Sequence, residues 1–207
     1  MNHQDAKTPR TTRYFLALCL CVLVVSRSFS ADVAPLRDWQ YIVIHNSATR
    51  VGKAEAFDAA HRARGMINGL AYHFVIDNGT EDGRDGFIET GTRWVRQMHG
   101  GHCRQAYFNE HGIGICLVGD FSRDQPTPKQ MESLVLLVRG LQEQFHIPDD
   151  HILGHGEVVG EFSECPGKEF PWDELRKRLA APPHHDPLPK TGRGKPDKTS
   201  SPLGGED

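Results

Sequence analysis

His155 and Cys165 stand in the segment Gly154-His155-Gly156-Glu157-Val158-Val159-Gly160-Glu161-Phe162-Ser163-Glu164-Cys165-Pro166-Gly167. Its glycines rule out a long helix, and a loop of this kind folds back so that imidazole and thiol point at one spot. A neutral imidazole and a thiolate are both good ligands for Zn²⁺, and a catalytic zinc takes three protein ligands and keeps one position open. The third ligand must come from elsewhere. The best candidate is His45, which closes the apolar run Tyr41-Ile42-Val43-Ile44-His45. That run reads as a buried strand, and a His at its C-terminal end sits at the rim of a sheet.

The elements that must position these three side chains follow from the pattern. A first strand is expected over Trp39–Ile44, then a helix over Ala54–Arg64 with Phe57, Ala60 and His61 on one face. His61 is better read as a hydrogen-bonding partner on a packed face than as a ligand. A turn-rich loop over Gly65–Leu70 leads to a second strand, Tyr72–Ile76, and the turn Asp77-Asn78-Gly79 leads to a short strand, Phe87–Glu89. Trp94–Asn109 is polar, has no period and carries His99 and His102; it reads as a loop over the site. Ile113–Val118 is a continuous apolar strand, buried on both faces. Thr127 caps a helix started by Pro128, with Leu134, Leu137, Val138 and Leu141 at helical spacing, ending near Phe145. Ile152-Leu153 is a short strand delivering His155, and Trp172–Leu179 is a closing helix. The alternation gives an α/β class with a mixed central sheet flanked by helices.

The chain of 207 residues fits one domain plus terminal extensions. Lys7, Arg10 and Arg13 precede the apolar run Tyr14–Val25, and small residues at Ser28, Ser30 and Ala31 follow, which is a signal-peptide pattern over 1–31. The apolar run is too short for a membrane span, so export to the periplasm or beyond is expected, with no stable span after cleavage. The domain is then 32–180. The Pro/Gly-rich and charged stretch 181–207 cannot bury enough apolar surface to order itself. With Lys7, Arg10, Arg13 and Arg27 against Asp5, the leader carries +3 of a whole-chain charge of −3, so the remainder carries −6. An acidic domain offers no electrostatic footprint for nucleic acid. Beyond the leader, Cys103, Cys116 and Cys165 make a poor disulfide framework, and Cys116 reads as a small buried hydrophobe.

Tyr41-Ile42-Val43-Ile44-His45 with Ser47-Ala48-Thr49, then Tyr72–Ile76, then Asn109 with Ile113–Gly119, then Gly154-His155 and Cys165-Pro166-Gly167, resemble the type-2 family of zinc-dependent N-acetylmuramoyl-L-alanine amidases. That family shares its fold with peptidoglycan recognition proteins and phage amidase-type lysozymes, and the resemblance spans about residues 39–180. It implies Zn²⁺ on His45, His155 and Cys165, with Tyr72 beside the metal stabilising a tetrahedral intermediate. It implies a monomer acting on peptidoglycan or muropeptide fragments, with His99 and Asn109 on the substrate groove. Some relatives place a Lys two residues before the last ligand; here that position is Ser163, taken as a second catalytic candidate. The charged stretch Gly79–Gly86 also departs from the family's turn. His73, next to Tyr72 on a strand, points to the opposite face and reads as structural. The rival reading is a recognition module that binds peptidoglycan without cleaving it, against which Cys165 argues, since relatives that only bind typically lack that ligand.

Overall fold

The computed structural model describes residues 35–81 and 83–182. The expected leader over 1–31, and the tail over 181–207 except its first two residues, lie outside the described residues. A mixed sheet forms the centre, in the order β3-β2-β4-β1-β5. Strand β1 is Tyr41–Asn46, β2 Phe74–Ile76, β3 Ile88–Thr90, β4 Gly112–Leu117 and β5 Ile152–Gly154. Strand β1 runs parallel to both β4 and β5, β2 runs parallel to β4, and β3 pairs antiparallel to β2 at the edge. The expected mixed sheet is therefore present. Among the described residues no helix is long and apolar enough to cross a membrane.

Alternation along the strands divides the interior in two. Ile42, Ile44, Phe74, Ile76, Ile113, Ile115 and Leu117 face one side. There they meet helix α4 (Pro128–Phe145) through Leu134, Val138 and Leu141, and helix α5 (Trp172–Ala180) through Leu175. Val75, Cys116 and Val118 face the other side, with Leu70, Tyr72 and Phe57 of helix α1 (Ala54–Ala63). His45 is on this second side, because successive side chains on a strand point to opposite faces.

Helix α4 is specified as its sequence suggests. Thr127 Oγ1 accepts from Gln130 N at 3.0 Å, while Gln130 Oε1 accepts from Thr127 N at 3.1 Å, a reciprocal cap worth about 1 kcal/mol. The amide nitrogen of Gln130 also donates to the carbonyls of Ile76 and Val118, each at 2.9 Å. One buried side chain thereby ties the helix to the ends of β2 and of the β4 segment.

Most boundaries differ from the sequence pattern by a residue, and the larger differences have physical reasons. The first strand starts at Tyr41 and runs through His45 to Asn46, because the buried indole of Trp39 turns aside to donate to Gln97 Oε1 at 3.0 Å. The second strand starts at Phe74 rather than Tyr72: His73 Nδ1, not a backbone carbonyl, takes the Gly114 N–H at 2.9 Å. The stretch expected as loop contains two short helices, α2 (Thr92–Val95) and α3 (Ala106–His111). Helix α3 is held from outside its own sequence, with the Phe108 ring 4.9 Å and the Tyr107 ring 6.1 Å from Tyr41. At the opposite edge, Asp77 is buried and its carboxyl is pushed up to about 7 by burial and by the neighbouring Glu89. Glu89 Oε1 in turn accepts the N–H of Ala54, the first residue of α1. The charged turn after β2 thus borders the start of a helix.

His73 lies just ahead of the strand and serves the backbone rather than the metal set. Nδ1 accepts from Gly114 N, so Nε2 carries the proton and meets the Met98 carbonyl at 3.1 Å. Burial lowers its pKa from 6.5 to about 4. Above pH 6.5 the ring is neutral folded and unfolded, and its contribution is whole. As pH falls from 6.5 toward 4 only the unfolded chain takes up the proton, and stability drops by about 3 kcal/mol. Urea unfolding of metal-free protein between pH 7 and 4 should therefore show a steeper loss than in His73→Asn, whose amide oxygen accepts without titrating. Equal slopes would show that this ring does not carry the effect.

Candidate metal centre

The parallel register pairs Ile44 with Gly154, so the next residues, His45 and His155, emerge side by side at the end of β1 and β5. Their ring centroids are 4.6 Å apart. After β5 the chain makes a 3-10 turn over His155–Glu157, with Glu157 Oε2 accepting from Gly154 N at 2.7 Å. The loop then folds back, and Gly156 N donates to the Cys165 carbonyl at 2.7 Å. A Cβ on Gly156 would lie 2.1 Å from the Ser163 carbonyl oxygen, so only glycine permits this closure. Ser163 Oγ accepts from Cys165 N at 3.1 Å and holds the far end of the loop.

The structure brings together the three candidate ligands read from the sequence. Donor atoms of His45, His155 and Cys165 all lie within 4.8 Å of one another, and His45 Nδ1 is 3.9 Å from Cys165 Sγ. Neighbouring donors in a tetrahedral zinc site with bonds of about 2.0–2.3 Å are separated by about 3.3–3.8 Å, so a small contraction suffices. Two nitrogens at the ends of β1 and β5 and one sulfur on the closed loop fit Zn²⁺ as a three-ligand site. Burial pushes the Cys165 thiol up to about 11, against the opposing hydrogen bond from Asn46 N at 3.3 Å. A cation at this point replaces the thiol proton.

The tautomer of His45 follows from its surroundings. His102 is buried, and burial lowers its pKa to about 3, so it is neutral. Its Nε2 faces the Gly112 carbonyl at 3.2 Å and must carry the proton. Its Nδ1 is then an acceptor and meets His45 Nε2 at 3.1 Å. His45 therefore donates from Nε2 and keeps the Nδ1 lone pair for the metal. Cys103 Sγ is 3.2 Å from the same His102 Nδ1, and burial pushes this thiol up to about 12, so it stays protonated. The His102 ring fits a slot without side chains: a Cβ on Gly100 or Gly114 would come within 2.4 Å of it. A glycine inside the apolar strand β4 is the sequence signal for this close approach.

Tyr72 stands beside the metal set, its ring centroid 5.1 Å from that of His45 and 5.6 Å from that of His61. Burial raises its pKa well above the ordinary phenol value, with Cys116 and Cys165 adding to the effect. The hydroxyl stays protonated and able to donate. His61 does not ligate; its Nδ1 accepts from Ala71 N at 3.1 Å. Cys116 is fully buried, and it, Cys103 and Cys165 are free thiols.

His99 and Asn109 line a cavity of about 310 Å³ together with Met66, Ile67, Asn68 and Arg93. Asn109 has a further task there: Oδ1 accepts from His102 N and Cys103 N at 2.9 and 3.0 Å, and Nδ2 donates to the Cys103 carbonyl at 2.6 Å. Its amide fixes the turn that presents His102. The resemblance implied His99 on the groove, yet His102 is the ring that touches a candidate ligand, His45. Sequence reasoning also passed over Glu161, whose carboxylate lies 3.2 Å from His155 Nε2 with its side chain only 2% exposed.

A family model described as N-acetylmuramoyl-L-alanine amidase matches residues 35–168. A peptidoglycan recognition protein of Trichoplusia ni is 31% identical over 96 residues, covering 46% of this chain and 49% of that protein. Peptidoglycan-recognition protein LB of Drosophila melanogaster is 30% identical over 138 residues, covering 61% of this chain and 54% of that one. The chain thus spans about half the length of these curated relatives. Among solved structures, the N-acetylmuramoyl-L-alanine amidase LysC of Clostridium intestinale is 31% identical with a TM-score of 0.60, covering 71% of this chain and 91% of that chain. Peptidoglycan recognition protein LE, solved with tracheal cytotoxin, is 26% identical with a TM-score of 0.54, covering 69% and 82%.

Purified protein should bind about one zinc per chain, and Cys165→Ser or His155→Ala should each remove most of it, as read by elemental analysis after dialysis. Full zinc content in either variant would place the metal elsewhere.

Proposed function

Because this chain belongs to the N-acetylmuramoyl-L-alanine amidase family, we propose that it is an exported zinc hydrolase of peptidoglycan. The bond cleaved is the amide joining the lactyl group of N-acetylmuramic acid to L-alanine. The observation that carries this reading is the convergence of His45, His155 and Cys165, with a protonated phenol beside them. Bound at these residues, zinc supplies Lewis acidity toward a carbonyl and makes water nucleophilic near neutral pH.

The chain's own groups perform the rest. Tyr72 holds its proton through burial and donates a hydrogen bond to the oxygen that gains charge as the carbonyl becomes tetrahedral. His102 fixes the orientation and tautomer of His45, and Ser163 fixes the loop that carries Cys165. The cavity beside His99 and Asn109 is the place for the muropeptide, and the acidic domain takes no nucleic acid. The unit 32–180 acts as a monomer, in the periplasm or secreted, with no membrane span once the leader is removed.

A second reading, a module that binds peptidoglycan without cleaving it, is favoured by the likeness to recognition proteins. It is separated from the first by turnover. Wild-type protein should release L-alanine-terminated peptide from muropeptide, and a chelator should stop it. Tyr72→Phe should lower kcat by about 10²–10³-fold, the usual cost of losing one oxyanion donor, while leaving zinc content unchanged. Zinc-loaded wild type without turnover would favour the binding module, and unchanged kcat in Tyr72→Phe would remove that residue from the reaction.

A further inference from the structure

Glu161 is a buried carboxylate that the metal site as described does not use. Its oxygens are divided between two partners. Oε1 accepts from the backbone N–H groups of Arg104 and of Gln105, the latter at 3.3 Å. Oε2 lies 3.2 Å from His155 Nε2, with the side chains 2% and 19% exposed respectively. The contact is within ion-pair distance but not aligned as a full hydrogen bond, and His155 Nε2, itself buried, has no hydrogen-bond partner among the described residues. Glu161 groups with His155 and Cys103 as mutually close donors, whereas His155 groups with His45 and Cys165 in the other set.

We propose that Glu161 is a positioning residue that fixes the tautomer of His155, holding the proton on Nε2 so that Nδ1 presents its lone pair to the metal. A carboxylate is an acceptor only, so it admits a donor and nothing else on that nitrogen. Ligating histidines commonly hand their second ring proton to a carboxylate or carbonyl in this way. The two ligand histidines are then matched by different means: His45 gives its proton to the neutral ring of His102, and His155 gives its proton to Glu161. The inference rests on the reading of His45, His155 and Cys165 as the metal ligands.

The division of the two oxygens makes a sharp test. In Glu161→Gln the two backbone donors keep the amide oxygen where Oε1 was, and the amide NH₂ must face His155 Nε2. That donor requires a lone pair on Nε2 and drives the proton to Nδ1, the wrong tautomer for binding. Glu161→Ala leaves the ring free to choose. Zinc affinity, measured by competition with a chelating dye, should therefore fall in the order wild type, Glu161→Ala, Glu161→Gln. The isosteric Gln should cost about 10–100-fold, the usual range for removing the outer partner of a metal-bound His. Thermal unfolding of metal-free Glu161→Gln should match wild type, because the loop contacts through the retained oxygen persist. A merely structural role gives the reverse order, Ala weaker than Gln, and would overturn the proposal. So would wild-type affinity in Glu161→Gln. Two zinc ions per wild-type chain, falling to one in either variant, would make Glu161 a ligand of a second ion with Cys103 instead. A wild type that binds no zinc would overturn the ligand reading itself, a result distinct from all of these.

Discussion

The parallel pairing of β1 between β4 and β5 is the constraint on which the site depends. Ile44 opposite Gly154 makes His45 and His155 neighbours at the strand ends, and His45 opposite Cys116 places the ring on the face away from helix α4. Side chains alternate with period two, so a slip of one residue would turn His45 into the apolar core and bring Ile44 to the metal. Such a slip is opposed by the whole inward set of the sheet, Ile42, Ile44, Ile113, Ile115 and Leu117, which are fully buried. The geometry of two ligands is thus fixed by hydrophobic burial that takes no part in the chemistry.

The third candidate ligand is fixed by a different kind of force. Cys165 has no strand to hold it; it is carried by a loop closed on itself by Gly156, Ser163 and Asn46 through hydrogen bonds to the residue's own carbonyl, N–H and sulfur. These are directional and local, and they work only because Gly156 lets the two loop arms touch. A polar cluster of Cys165, His45, His102 and Cys103 then lies at low exposure without a net charge of its own. In such surroundings every ring must be neutral and every proton must have a place, since an unpaired buried polar group is costly. The proton order from the Gly112 carbonyl through His102 to His45 satisfies that requirement and leaves one lone pair over, aimed at the sulfur.

What the sequence made legible follows from the range of each interaction. His45 and His155 could be read as candidate ligands because each follows an apolar run, Cys165 because it precedes Pro-Gly outside any apolar periodicity with a His upstream, and helix α4 because Thr127, Pro128 and its apolar spacing are all local. The structure places both as expected. Helix α3 could not be read, since six residues hold too little period and its support comes from Tyr41, more than sixty residues away. The importance of His102 over His99 was equally hidden, being set by contact with His45 across 57 positions. Its one trace in the sequence is Gly114, a glycine inside a buried strand. Glu161 left no trace, because a glutamate in a polar loop looks solvated until the loop closes over it.

The two faces of the sheet divide stability from chemistry. On one side the strands, α4 and α5 form a continuous apolar core, tied at its end by the buried amide of Gln130. On the other side the smaller apolar group of Leu70, Val75, Cys116 and Val118 gives way to His45, His61, His102 and Tyr72. Burying titratable rings opposes folding, and a chain with both faces like the second would be marginal. The same strand β1 serves both sides by alternation, with Ile42 and Ile44 on the stabilising face and Val43 and His45 on the other. The polar site is thus borne by the structure that its presence weakens, and the excess of apolar contact behind the sheet is what allows neutral imidazoles to be held dry beside the candidate metal site.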